Sequence, residues 1–396
     1  MPGNVRDRAS FDPKHETWIQ CASSTLHLGF QILRALSIFA DAGYGPSSRG
    51  VFQMAATKIR NMEEFAAVCG ISRPTVSKFF HDPTSVRAST RRKIEAALEQ
   101  HDYRPNFYAI NQNRDRTKTM GLVVPNLTDP FFAGIARMIE ELIVEAGYNP
   151  VLLSSHAGPD QEVANLDSLR GIKPAGLLLA PLGRASHVDA VSEFCRDVPT
   201  VLFDANLDGV GEAFFGSDND QSVGLIVDYL CRSGEPPAFF EMRDPVNPNA
   251  FRRRRAFVAA MERLGHAPTM MQVDGVGWDF EEIGFREGMR MFAGGQVPAK
   301  TILCSNDRLA IGLLSAAYES GLRVGIGAGS DLRIAGHDDH PFARYTCPGL
   351  TTISQDYSAI ATRSVDVILS IIEEGKTSDE RAVALFDGHL VMRGSA

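Results

Sequence analysis

The stretch GISRPTVSKFF, residues 70–80, decides how the first third of the chain is read. Gly70 can take the left-handed conformation that ends a helix. Ser72 stands where a cap would start the next helix, and Pro74 falls in its first turn, where the missing N–H costs little. Val76 and Phe79, three apart, turn inward with Phe80, which leaves Arg73 and Lys78 outside. Upstream, Asn61 is placed to cap a first helix, with Glu64 three residues on as the other half of a capping box. Phe65 and Val68 give that helix its apolar face. Downstream, Ser89 to His101 carries Ile94, Ala97 and Leu98 on one side and reads as a third helix. Two short helices joined by a glycine turn and buttressed by a third form a helix-turn-helix unit.

The charge distribution sets this unit apart. The chain has 396 residues and a formal net charge of −8, which argues against general adhesion to nucleic acid. Between Ala55 and Met120, however, 12 Lys and Arg face 7 Asp and Glu, a net of +5, so the remainder carries −13. A basic module on an acidic body points to one local polyanion contact. The length suits two or three domains. Cys21, Cys69, Cys195, Cys231, Cys304 and Cys347 are scattered, without C-x-x-C pairs or histidines at ligand spacing, and read as thiols in a reducing compartment.

The apolar run WIQCASSTLHLGFQILRALSIFA near the N-terminus is interrupted by Gln20, His27, Gln31 and Arg34, a poor membrane span. Residues 1–53 lack capping signals and continuous periodicity. They are expected to be dispensable, a disordered arm or an artefact of the assigned start, with Met54 as the first residue that matters. "ADA" at 40–42 resembles a signal-peptidase site, which keeps export open as the alternative.

Residues 105–118 are polar, Asn-rich and basic, a linker. From Thr119 short β-rich runs (GLVVPN, PVLLSS, AGLLLA, TVLFDA, PAFFEM, MMQVDG, TILCSND, LRIAGHDD, TTIS) alternate with amphipathic helical stretches. Such alternation means right-handed βαβ units and parallel sheets. Nine strands are too many for one mononucleotide-binding half, so two doubly wound lobes with a cleft between them are expected.

ISRPTVSKFF and TRRKIEAALEQHDYRPN, followed by MGLVVPNLTDPFFAGI, SNDRLAIG, IAGHDD and a terminal LVMRGS, resemble the lactose-repressor (LacI/GalR) family of bacterial transcription regulators, over about residues 57–395. The resemblance implies a multidomain chain: an all-α helix-turn-helix headpiece and an α/β periplasmic-binding-protein-like effector domain of two doubly wound parallel-sheet lobes. It divides the chain into an extension (1–54), a DNA-binding domain (55–104), a hinge (105–118) and an effector-binding and dimerisation domain (119–396), with crossovers near 216, 337 and 355. The function it implies is sequence-specific repression, switched allosterically by a small sugar or sugar-like effector. It also implies a cytoplasmic homodimer on palindromic operator DNA, with no membrane contact, no catalytic residue, no cofactor and no metal. The rival is an exported sugar-binding protein of a transport system, which would need a signal peptide and would not need residues 57–118. No G-x-S-x-G, H-E-x-x-H or phosphate loop supports an enzyme, and VGIGAGS at 324–330 lacks the G-x-G-x-x-G spacing.

In such a unit the second helix lies in the major groove with its first residues at base edges. Arg73 has the reach to bond guanine O6 and N7 together, with Lys78 beside it. Pro74 offers only shape or a thymine-methyl contact, and Ser72, Thr75, Ser77 and His81 are expected on phosphates. In the hinge, Asn106 and Ala109 fit the family pattern. Gln112 stands where the family has a minor-groove leucine, with Ile110 two residues out of register as the apolar substitute. For the effector, the matching motifs nominate Asn126, Asp129, Phe131 and Phe132 after the first strand, then Asp204, Asn247, Asn249 and Arg253. Trp278 (or Asp279, the spacing slipping by one), Asn306 and Asp338 complete the set, with Asp307 expected as a helix cap. Aromatic faces with Asp, Asn and Arg suit a polyol, rings covering its C–H face while planar groups bond paired hydroxyls.

Overall fold

The computed structural model describes residues 59–101, 103, 117–295, 297–375 and 380–396. The expectations for residues 1–54 and for Asn106, Ala109, Ile110 and Gln112 lie outside them, as does that for the His81 side chain. The chain divides into two units at Pro105/Asn106, each described by itself.

In the first unit, α1 (Met62–Cys69), α2 (Arg73–His81) and α3 (Ala88–Gln100) follow the expected order. Asn61 caps α1 by accepting from the Glu64 N–H at 2.9 Å, while Glu64 accepts from the Arg60 N–H at 2.7 Å, one residue earlier than a capping box would have it. Gly70 ends α1 at φ 63°, left-handed, where a side chain would be strained. Ser72 occupies the N-cap of α2 but does not cap it; its Oγ pairs with Thr75 Oγ at 2.8 Å. The hydroxyls of Ser72 and Thr75 satisfy each other, and Pro74 has already removed one orphan donor. Phe65, Val76, Phe79, Val86, Ile94 and Tyr103 form a common core, with Phe65 stacked on Tyr103 at 4.5 Å and 16°.

The second unit is built on parallel sheets. Its chain runs β1 (Thr119–Val124), α4 (Pro130–Glu145), β2 (Asn149–Ser154), α5 (Pro159–Ile172), β3 (Gly176–Leu179), α6 (Val188–Asp197), β4 (Thr200–Phe203) and β5 (Ala213–Ser217). It continues through α7 (Asn219–Ser233), β6 (Ala238–Met242), α8 (Ala250–Arg263), β7 (Thr269–Val273), α9 (Phe280–Ala293), β8 (Thr301–Cys304), α10 (Asp307–Glu319), β9 (Arg333–Ala335) and β10 (Thr352–Ser354). It closes with α11 (Tyr357–Glu374), β11 (Ala382–Phe386) and β12 (His389–Val391). One sheet has the order β11-β5-β4-β3-β1-β2 and another β7-β6-β8-β9, all neighbours parallel; β10 and β12 pair antiparallel. Leu122 of β1 lies opposite Leu152 of β2 and Leu178 of β3. Strands covered on both faces need unbroken apolar runs, and β3, β4 and β8 are buried along their whole length.

The first lobe holds β1 to β5, β11 and α11, and the second the other sheet with α7. The chain crosses between β5 and α7, returns between β10 and α11, and crosses again between β11 and β12. Residue 337, expected as a crossover, lies inside the second lobe. The Asp338 N–H bonds Ile353 O, and Ala335 bridges to Thr351, which ties this turn to its own sheet. Strands β5, β11 and β12 were not anticipated. A loop without a helix joins β4 to β5, so no strand–helix alternation marks it.

Candidate functional sites

The headpiece surface starts at α2. Arg73, Pro74 and Lys78 are exposed, with Ser72 beside them, while Thr75 and Ser77 are half-buried. The Arg73 side chain is 63% exposed, and its one ion pair among the described residues, with Glu63 at 3.8 Å, is solvent-facing. Such a pair contributes little and leaves the guanidinium available.

In the second unit a pocket lies at the carboxyl ends of the parallel strands, where sheets of this kind bind ligands. The first lobe supplies Asp129, Phe131, Phe132 and Asp204. The second supplies Asn247, Arg253, Asn306, Arg308 and Asp338, and Gln355 joins from the returning crossover. Arg253, on α8, is 3% exposed and makes three hydrogen bonds, one from each nitrogen. Its Nε donates to Asn219 Oδ1 at 3.2 Å, Nη1 to Ser305 O at 2.8 Å, and Nη2 to Asp338 Oδ1 at 2.7 Å. The same Asp338 oxygen takes the Gln355 amide at 2.7 Å and meets His337 Nδ1 at 3.1 Å. No hydrogen bond to Oδ2 is found among the described residues. Burial opposes ionisation of Asp338, but Arg253 and His337 hold its carboxyl below the usual range.

Asp204, at the end of β4, sits at φ 61° and Asp338 at φ 123°, conformations that cost non-glycine residues energy and collect at functional sites. Asp204 Oδ1 accepts from Asn249 Nδ2 at 2.8 Å. Burial pushes its carboxyl up to about 7, against the pull of Arg253 and Arg252. Asp129 caps α4 by accepting from the Phe131 N–H at 3.0 Å, and its Oδ2 accepts from Arg308 Nη1 at 3.2 Å. Arg308 is held in turn by Glu281 through two parallel bonds of 2.7 Å. That fork depends on how closely α9 and α10 approach. A Cβ on Gly312 would lie 2.0 Å from Glu281 O, and one on Gly284 2.3 Å from Leu309 O. Asp129–Arg308 and Asp204–Asn249 therefore span the two lobes. Phe131 and Phe132 meet edge to face at 5.2 Å.

Several nominated residues stand elsewhere. Asn126 turns back on its own loop, accepting from the Thr128 N–H and hydroxyl. Asn249 is buried behind the wall, bridging Asn219 and Asp204. Trp278 packs edge-on against Phe132 at 5.9 Å, supporting the pocket without lining it, and Asp279 is exposed. Asn306 does line the pocket but is also the cap of α10, accepting from the Leu309 N–H at 2.8 Å; Asp307, expected in that role, is its first residue and accepts from Thr352 and the His340 N–H. Arg308 and Gln355 were missed. Gln355 directly follows TTIS, so the carboxyl-end rule would have found it. Nothing in SNDRLA separates Arg308 from an ordinary helix-surface arginine.

The buried acids set a pH dependence. Asp204 and Asp307 are each pushed by burial up to about 7 from 3.8, so between these values the native state holds protons that the unfolded chain releases. Stability is then highest at low pH and declines as pH rises through that window. His337, pushed down to about 4 from 6.5, acts oppositely, but only below 6.5. The thermal midpoint of this unit is therefore expected to fall between pH 6.5 and 8, and Asp307→Asn to flatten the fall. Calorimetry at stepped pH checks this; a midpoint rising with pH would refute it.

Two family models match: "Bacterial regulatory proteins, lacI family" over residues 61–106 and "Periplasmic binding protein-like domain" over residues 227–396. The chain is similar to the ribose operon repressor of Escherichia coli (strain K12), 28% identical over 324 residues, covering 81% of this chain and 95% of the relative. It is also similar to the HTH-type transcriptional repressor PurR of Pasteurella multocida (strain Pm70), 27% identical over 337 residues, covering 84% and 98%. Among solved structures, the Lac repressor dimer bound to operator and the anti-inducer ONPF superimposes with a TM-score of 0.72 at 25% identity, covering 85% of this chain and 99% of that one.

Proposed function

The chain belongs to the lacI family of bacterial regulatory proteins, and we propose on that premise that it is a repressor whose operator affinity is set by a small sugar or sugar-like effector. The observation that carries the effector half is the pocket itself. Asp204, Asp338 and Arg253 bring planar hydrogen-bonding groups to a lining that also includes Phe131 and Phe132, the chemistry of polyol recognition. The DNA half rests on α2, which exposes Arg73, Pro74 and Lys78. The protein acts as a cytoplasmic homodimer that presents two reading helices to a palindromic operator.

The switch follows from the crossovers. Three chain segments join the lobes, and Asp129–Arg308 and Asp204–Asn249 bond across the cleft. An effector that bonds both walls favours the closed arrangement by its differential affinity, and the lobe placement it selects changes the headpiece geometry. A gel shift on promoter DNA with and without a sugar panel tests the reading. Failure to retain any promoter fragment would overturn it, and so would a complex that no sugar alters.

Arg73→Ala is expected to relax base preference at one operator position, at a cost of about 1–3 kcal/mol there. Selection from randomised DNA reads this directly. Equal weakening on every sequence would instead assign Arg73 to phosphate.

A further inference from the structure

Three acidic residues lie in the stretch from Ile59 to Asp82 that carries the reading helix: Glu63, Glu64 and Asp82. Two of them build the headpiece. Glu64 accepts from the Arg60 N–H at 2.7 Å and from Asn61 Nδ2 at 3.2 Å, at the start of α1. Asp82 accepts from the Thr84 N–H at 2.8 Å and from the Thr84 hydroxyl at 2.7 Å, just past α2. Glu63 has no such role. Its side chain is 76% exposed, and no hydrogen bond to its carboxylate is found among the described residues.

The one ion pair that Glu63 makes among the described residues is with Arg73, its Oε1 standing 3.8 Å from Arg73 Nε. That gap is too long for a hydrogen bond, so each side chain keeps its bonding capacity. A carboxylate without a donor on a DNA-facing surface is repelled by phosphates at every sequence. Only a donor on a base edge offsets that repulsion. In the major groove those donors are cytosine N4 and adenine N6, while guanine and thymine present acceptors there. A carboxylate accepts and cannot donate; an arginine donates and cannot accept. The two side chains are therefore complementary readers. Adenine sets its N7 acceptor beside N6, against the second carboxylate oxygen, so cytosine is the better partner for Glu63. The separation of the two groups, 3.8 Å, is close to the step of roughly 3.4 Å between stacked bases along a strand.

We propose that Glu63 is a base-reading residue, its carboxylate accepting from cytosine N4 in the base pair next to the guanine that Arg73 reads. The inference rests on the reading that α2 lies in the major groove, and it adds a residue of α1 to the readout. It also fixes the sign of the overall effect. Glu63 lowers affinity for DNA in general and lowers it least where cytosine stands in that place, so it discriminates between sequences without anchoring the protein.

Selection by the full chain from randomised DNA, with titrations on the selected duplex and on a scrambled one, tests it. The wild type is expected to require cytosine beside the position that Arg73→Ala relaxes. Glu63→Ala should relax that cytosine by about tenfold, keep the guanine preference, and bind the scrambled duplex at least as tightly as wild type. Glu63→Gln should move the preference from cytosine to adenine, whose N6 and N7 suit an amide. The exposure of Glu63 lets both variants keep the headpiece fold. If Glu63→Ala tightens binding to every sequence equally, the carboxylate faces only phosphate; if it erodes the guanine preference instead, Glu63 only positions Arg73. Either result overturns the proposal. If Arg73→Ala itself leaves every base preference unchanged, the placement of α2 in the groove fails, and this inference fails with it.

Discussion

Asp338→Asn is expected to shift the effector midpoint by roughly ten- to hundredfold while leaving effector-free operator binding unchanged. A hydrogen bond to a charged group contributes about 1.5–3 kcal/mol, and Asp338 offers its unbonded Oδ2 to the pocket while Oδ1 serves Arg253, Gln355 and His337. Asparagine can keep an oxygen toward Arg253, but its other end becomes an NH₂ group, which cannot accept from a ligand hydroxyl. The choice of asparagine matters. Arg253 is 3% exposed, and removing it would strand the half-buried Asp338 carboxylate, a loss of stability that would confuse folding with binding. In Asp338→Asn the reverse problem, a buried guanidinium without its anion, is relieved from within the pocket. Asp204 carries a carboxyl at about 7, and loss of the Asp338 charge removes one of the influences that raise it. Its ionisation restores a counter-charge near Arg253. Gel-shift titration of effector against a fixed operator complex measures the shift, and a midpoint equal to wild type would remove Asp338 from the effector site.

Those residues were legible for one physical reason: parallel sheets put their ligand groups just past strand ends, and strand ends can be read from apolar runs. Asp204 follows TVLF, Asn306 follows TILC and one serine, and Asp338 closely follows RIA. Where the loop folded back on itself, the rule failed. Asn126 also follows a strand, but its side chain is spent on Thr128. Asn249 and Trp278 are one layer too deep, and sequence spacing does not distinguish a wall from its support. Arg308 was invisible because its role depends on the α9–α10 crossing, a contact between distant stretches made possible by Gly284 and Gly312. Strand β5 was missed for a different reason. Phe214 and Phe215 make an apolar run as good as any other, but no helix precedes them, so strand–helix alternation does not mark the strand. The headpiece was legible almost completely because its signals are local: a cap, a left-handed glycine and a proline in a first turn.

Phe65→Ala is expected to abolish operator binding and leave the effector domain folded and responsive to sugar. Phe65 is fully buried, stacked on Tyr103 and 6.0 Å from the Phe80 ring, so it joins α1 to α2 and to Tyr103, three residues past the end of α3. Truncating such a ring costs about 3–5 kcal/mol. A domain is stable by only about 0.05–0.15 kcal/mol per residue, so a headpiece of this length has little or nothing left after that loss. The α2 surface that carries Arg73 and Lys78 exists only while α1 and α3 hold the helix at its angle, so recognition is lost with the fold. The second unit has hydrophobic clusters of its own and does not draw on Phe65. Val68, on the same helix but 49% exposed, supplies the control. Val68→Ala removes little buried area and should change operator affinity by less than about twofold. Limited proteolysis should cut the Phe65→Ala chain within the headpiece and release an intact effector domain, whose calorimetric response to sugar matches wild type. Operator binding that survives in Phe65→Ala, or an effector domain that unfolds with the headpiece, would show that the two units do not fold independently.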